Sequence, residues 1–145
     1  MTGVQTCALP ISALVHDTVE RHGGLNGIIH AAGLLRDQYL LRKPAAEFAQ
    51  VMAPKASGVR HLADAAADVP LDFFAMFASI AGALGNAGQA DYATANAYLD
   101  AFARHRAPAR WGRTVAIDWP LWAEGGMAID DATAHALHEI GRAHV

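Results

Sequence analysis

Three short apolar runs alternate with longer helix-patterned segments along this chain, and that alternation limits the fold more than any other feature. "ALVHDTVERHGG" (residues 13–24) carries Leu14, Val15, Thr18 and Val19 at helical spacing and ends on a glycine pair. "LNGIIHAAG" (25–33) is an apolar run that closes on small residues, as expected of a buried parallel strand whose end admits something close to the backbone. An Ala-rich helical stretch follows, in which Pro54 lacks a backbone donor and predicts a kink. "LDFFAMFASIAG" (71–82) reads as a second strand, rich in β-favouring aromatics. "ADYATANAYLDAFARHRA" (90–107) is the next helix, and "RTVAIDWPL" (113–121) is a third strand stopped by Pro120. Helix, strand, helix, strand, helix, strand predicts a doubly wound, Rossmann-like α/β fold: a parallel sheet with helices on both faces. At 145 residues and 53% hydrophobic content, one domain with a real core is expected.

The charge pattern excludes several roles. Net charge is −3 with no basic run, so no nucleic-acid footprint is present. No apolar run reaches the roughly 18–20 residues of a membrane span. A single cysteine, Cys7, rules out an internal disulfide. The eight histidines are scattered, and the nearest pair, His135 and His138, lacks a third ligand at useful spacing; no metal site is expected.

The two ends share an unusual relationship. Thr6 to Ile11, back-translated as ACG TGT GCT CTT CCG ATC and followed by a T, has a reverse complement that encodes Glu-Ile-Gly-Arg-Ala-His-Val, the sequence of residues 139–145. Flanking sequencing-adapter DNA produces this when translated. Residues 1–12 and 139–145 are therefore expected to be translated adapter, and residues 13–138 to be the biological part.

Ligands of open parallel sheets bind outside the carboxyl ends of the strands. Those ends are His30 to Gly33, Ala78 to Ile80 and Asp118 to Leu121, and they should meet in one crevice. The helix after the second strand brings Tyr92 toward the same edge. Reducing a carbonyl with hydride creates an alkoxide that needs a proton. A phenol, with its ordinary pKa about 10, serves at neutral pH only beside a cation, and a hydroxyl aimed at the developing oxyanion adds stabilisation. Taken singly, each candidate has a plainer reading: Ser79 bonding its own backbone, Tyr92 as packing, Lys55 as a solvated helix lysine. Asn96 lies one turn after Tyr92 on the same helix face. Of the eleven lysines and arginines only Lys43 and Lys55 are lysines, and arginine does not pass protons.

Together, "HAAG", "APKASG", "FASIAGALGNAGQADYATANAYLDAF" and "IDWPLWAEGGM" resemble the ketoreductase domain of modular polyketide synthases, a branch of the short-chain dehydrogenase/reductases. The resemblance spans residues 13–129. It implies Ser79 as oxyanion donor, Tyr92 as proton donor, Lys55 as the cation that tunes Tyr92, and Asn96 as positioner of Lys55 and of a proton-relay water. In this branch lysine and asparagine have exchanged helices relative to other short-chain reductases. The resemblance places His30, Ala31, Ala32 and Gly33 on the nicotinamide ribose side, with Pro120 and Leu121 against the nicotinamide of NADPH. It implies substrate contacts from Leu35, Asp37, Gln89, Trp122 and Met127, with residues 122–127 opening a substrate lid. Domains forming the D-hydroxy product carry Leu-Asp-Asp where this chain has Leu35-Arg36-Asp37; those forming the L-product carry a tryptophan where it has Leu84. The lean is toward the D-product.

The implied activity is NADPH-dependent reduction of a β-ketoacyl group tethered to an acyl carrier protein, in the cytoplasm, alongside other synthase domains. A fatty acid or polyunsaturated fatty acid synthase, or a stand-alone reductase, is an alternative host. A structural domain that has lost its site is the alternative of another class; the joint presence of Lys55, Ser79, Tyr92 and Asn96 weighs against it. No glycine-rich pyrophosphate turn follows a first strand. The chain is thus expected to be a catalytic half that lacks the first strands of its fold and binds NADPH weakly on its own.

Overall fold

The computed structural model describes residues 5–105 and 111–122. Helix α1 (Gln5–His22) leads into strand β1 (Gly27–His30). A loop with one 3-10 turn, Leu40–Arg42, connects to α2 (Ala45–Met52), a π-helical turn (Ala53–Ser57) and α3 (Gly58–Ala65). Strand β2 (Leu71–Ser79), the short helix α4 (Ile80–Leu84), helix α5 (Ala90–His105) and strand β3 (Trp111–Trp119) complete the order.

The three strands form one parallel sheet in the order β1-β2-β3. His30 is in register with Met76, and Ser79 with Trp119, so the carboxyl ends gather on one side of the molecule as the strand pattern predicted. Along β2 burial alternates. Phe74, Met76 and Ala78 are buried, whereas Phe73 is exposed. That buried face meets Val15 of α1, Val59 and Ala63 of α3, and Leu99 of α5 in a single core. Phe74 stacks on Trp111 with ring centroids 4.9 Å apart, and the Trp111 indole N–H donates to the Ala66 carbonyl at 3.0 Å. Burying Phe74 completely contributes about 1.5–3 kcal/mol. The other face carries exposed Ile29 and Phe73, so among the described residues the helices form a single layer.

Element boundaries differ from the sequence expectations for local reasons. Helix α1 begins at Gln5 and runs through Pro10. Strand β2 stops at Ser79 rather than Gly82, because the Ser79 hydroxyl caps a new helix. The chain does not break at Pro54. It stays helical by widening into the π turn, which accommodates a residue without an N–H.

Candidate active site

The π turn decides where Lys55 points. Val51, Lys55, Val59 and Ala63 recur every four residues and all are buried, so the lysine occupies one place in an otherwise apolar stripe. Its ammonium donates to the Phe77 carbonyl at 2.6 Å. Burial lowers its pKa from the usual 10.5 to about 8, since desolvation disfavours the charged form. This removes the reading of Lys55 as a solvated helix lysine.

Phe77 lies two residues before Ser79, so the same strand end holds both groups. The Ser79 oxygen accepts from the Ala81 N–H at 3.2 Å, which leaves its own proton free to be donated elsewhere. The backbone-bonding role weighed for Ser79 is therefore present and compatible with an oxyanion donor.

Helix α4 seats this strand end on α5. A Cβ at Gly82 would stand 2.8 Å from the Ala97 backbone nitrogen and 3.0 Å from the Asn96 Cβ, so only glycine permits this approach. Asn96 is completely buried, and its amide donates to the Tyr92 carbonyl at 2.8 Å. Its Oδ1 is also buried and has no donor among the described residues. Among the described residues no hydrogen bond joins Asn96 to Lys55: the lysine donates to the Phe77 carbonyl, and the Asn96 amide to the Tyr92 carbonyl. Tyr92 is half-buried, and its N–H donates to Asp91 Oδ1 at 2.9 Å.

His30 ends β1 beneath this group. It is buried, and its Nε2 has no partner among the described residues. Burial and then the Lys55 charge lower its pKa, while a backbone hydrogen bond to Pro54 acts the other way. Ala31 and Ala32 are exposed and Gly33 is half-buried just beyond the strand, while Pro120 and Leu121 are exposed beyond β3.

Two of the expected substrate residues touch each other. Gln89 Nε2 donates to Asp37 Oδ2 at 2.8 Å, and Asn86 holds the Gln89 Oε1 at 2.8 Å. Leu35 is half-buried in the same loop. Trp122 packs edge-on against Trp119 at 5.4 Å and lies 6.5 Å from Phe77, which places it beside the β2–β3 strand ends. Met127 lies outside the described residues. The sequence reading passed over Lys43 and Asp91, which form an ion pair at 2.6 Å with side chains 0% and 1% exposed. The scarcity of lysine was a signal for Lys43, and the position just before Tyr92 was one for Asp91.

A parallel three-stranded sheet of this kind, with Ser79 at the end of β2 and Lys55 held at the Phe77 carbonyl, has the Rossmann-like fold of the short-chain dehydrogenase/reductases. The chain belongs within that class to the KR domain family, whose model matches residues 6–124. It is 48% identical over 132 residues to polyketide synthase PksL of Bacillus subtilis (strain 168), covering 88% of this chain and 3% of that protein. Polyketide synthase PksN of the same organism is 41% identical over 140 residues, covering 93% and 3%. A ketoreductase domain from the bacillaene assembly line superposes with a TM-score of 0.85 at 43% identity, covering 92% of this chain and 33% of that one. The chain thus spans a small part of the curated relatives it matches, and a third of the solved domain.

Proposed function

We propose that this chain supplies the catalytic half of a polyketide synthase ketoreductase, which uses NADPH to reduce a β-ketoacyl group on an acyl carrier protein, leaning to the D-hydroxy product. One observation carries the reading: a buried lysine, held at the Phe77 carbonyl, stands at the strand end that also presents Ser79. A buried ammonium in an apolar stripe is poor structural material and suits a site that must stabilise a phenolate.

The nicotinamide cofactor, when bound, supplies hydride to the ketone carbon. His30 to Gly33 and Pro120 and Leu121 are the residues proposed to hold its nicotinamide and ribose. Ser79 donates its free proton to the carbonyl oxygen and polarises it. Tyr92 passes its phenolic proton to that oxygen as the negative charge develops, and the Lys55 ammonium favours the phenolate left behind. The unpartnered Oδ1 of Asn96 suits a relay water that returns a proton from solvent. Leu35, Asp37, Gln89, Trp122 and Met127 are proposed to face the substrate.

The test is a complete ketoreductase domain carrying this segment, assayed with NADPH and a short β-ketoacyl thioester. Tyr92→Phe should abolish turnover and leave the thermal midpoint unchanged. Persisting turnover would show that another group donates the proton. The sequence carries no pyrophosphate-gripping turn, so the chain alone should bind NADPH poorly, and saturation at micromolar NADPH would contradict this. Among the described residues no helix is long and apolar enough to cross a membrane, which is compatible with the proposed cytoplasmic site. Residues 1–12 and 139–145 are read as translated adapter; the underlying DNA decides, since other codons at the two ends would remove the complementarity.

A further inference from the structure

Three consecutive residues of the loop between β1 and α2 are fastened to the neighbourhood of Tyr92. The Arg36 carbonyl accepts from the Lys43 ammonium. The Asp37 carboxylate accepts from Gln89 at 2.8 Å. The Gln38 N–H donates to the Gly88 carbonyl at 2.8 Å. Lys43 then reaches Asp91 Oδ2 at 2.6 Å, and the other oxygen of that carboxylate holds the Tyr92 N–H at 2.9 Å. One ammonium and one carboxylate, both with enclosed side chains, therefore connect the Arg36 backbone to the Tyr92 backbone in three links.

We propose that the Lys43–Asp91 pair is a positioning latch: it sets Tyr92 against the 35–37 loop and so governs which face of the ketone receives hydride. The proposal rests on the reading of Tyr92 as proton donor. A buried ion pair is a weak device for stability, because an apolar pair of similar volume holds a fold at least as well. What it adds here is position: one carboxylate oxygen accepts from the Tyr92 N–H, the other lies 2.6 Å from the Lys43 ammonium as an ion pair outside hydrogen-bond geometry, and the same ammonium donates to the Arg36 carbonyl. Without Lys43, the Asp91 carboxylate is left buried without its counter-charge and turns toward whatever donor or water it can find. The Tyr92 amide then loses its acceptor, and the Arg36 carbonyl loses its donor. The loop and the phenol come free of each other together. Lys43 and Asp91 are positioning residues here, acting through Tyr92 and the loop.

The experiment compares variants of the complete domain, reading thermal midpoint, kcat, KM and the ratio of hydroxy diastereomers from a short α-methyl-β-ketoacyl thioester. Lys43→Met and Asp91→Asn should lower kcat on the order of tenfold to a hundredfold, as small displacements of a reacting group do, with KM moving less and the diastereomer ratio shifting toward parity. Lys43→Arg keeps the charge and should retain most of the ratio. If the single variants fail to fold, the apolar double variant Lys43→Met/Asp91→Leu decides: a recovered midpoint with low kcat and an eroded ratio supports the latch. Wild-type kcat and ratio in a folded double variant overturn it and leave a structural role only. Tyr92→Phe runs alongside. If that variant still turns over, the proton-donor reading falls, and an unchanged ratio in Lys43→Met or the double variant then overturns the latch as well.

Discussion

The ammonium of Lys55 donates to the carbonyl of Phe77 at 2.6 Å, and this contact brings the buried cation to the strand end that carries Ser79. Its pKa of about 8 has two consequences. Turnover by the complete domain should decline as pH rises through about 8, because the cation that favours the phenolate is lost. Lys55→Met should lower kcat on the order of a hundredfold or more at pH 7. Stability should move the other way. Between pH 8 and 10.5 the unfolded chain holds a proton that the folded chain has released, so stability rises with pH over that window. Urea midpoints at pH 7.5 and 10 should show the rise in the wild type and a flat response in Lys55→Met. A midpoint that falls between those pH values would contradict the burial argument.

His30 should set an acid limb. Burial first, and the Lys55 charge second, hold its pKa below the ordinary 6.5. Below that value the unfolded chain takes up a proton more readily than the folded chain, so stability is lost as the pH falls. Replacing the ring by an uncharged side chain, His30→Gln, should flatten the urea midpoint between pH 7 and 5. An equally steep loss in the variant would place the acid sensitivity elsewhere.

Gly82 is the seat of α4 on α5. A methyl group there would press on the Ala97 backbone nitrogen at 2.8 Å, and backbone yields little. Gly82→Ala should cost about 1–3 kcal/mol, the usual range for overpacking. The same strain shifts the Ser79 cap relative to Tyr92, so kcat should fall even at temperatures where the variant is fully folded. A midpoint and a kcat both equal to wild type would mean the two helices separate without penalty.

How much of this was legible in the sequence depends on the range over which each residue acts. The β1, β2 and β3 runs announced themselves because their apolar character is local. Lys55 could have been placed inside by the spacing of Val51, Val59 and Ala63 alone, because a lysine in phase with an apolar helical stripe is buried. The end of β2 was misplaced because Ser79 both finishes a strand and caps a helix, and strand propensity is blind to the second role. Asn96 was expected to serve Lys55. Its Nδ2 donates to the Tyr92 carbonyl, a local bond, while Oδ1, the atom that would accept from an ammonium, finds no donor among the described residues, and the sequence carries no sign of that outcome. The Lys43–Asp91 pair joins two segments brought together only by the sheet and its crossover, so no periodicity could have revealed it.

Asp100 on α5 and Asp118 on β3 provide a last test of the packing between helix and sheet. Asp100 is buried, and its pKa is raised by burial, by the neighbouring Asp118 charge and by a hydrogen bond between the two carboxyl groups, with Arg104 opposing. A raised value means the folded chain holds this proton more tightly than the unfolded one. The associated stability is present in acid and is lost as pH rises through the folded-state pKa. Asp100→Asn keeps the shape and a hydrogen-bonding group while removing one of the two like charges. The variant should therefore have a higher urea midpoint than wild type at pH 7, with the gap closing toward pH 4 as Asp100 in the wild type becomes protonated. Because Asp118 precedes Trp119, which packs on Trp122, the variant should also order the β3 end, readable as reduced quenching of tryptophan fluorescence by acrylamide. A wild type more stable than the variant at pH 7 would show that the Arg104 interaction outweighs the repulsion.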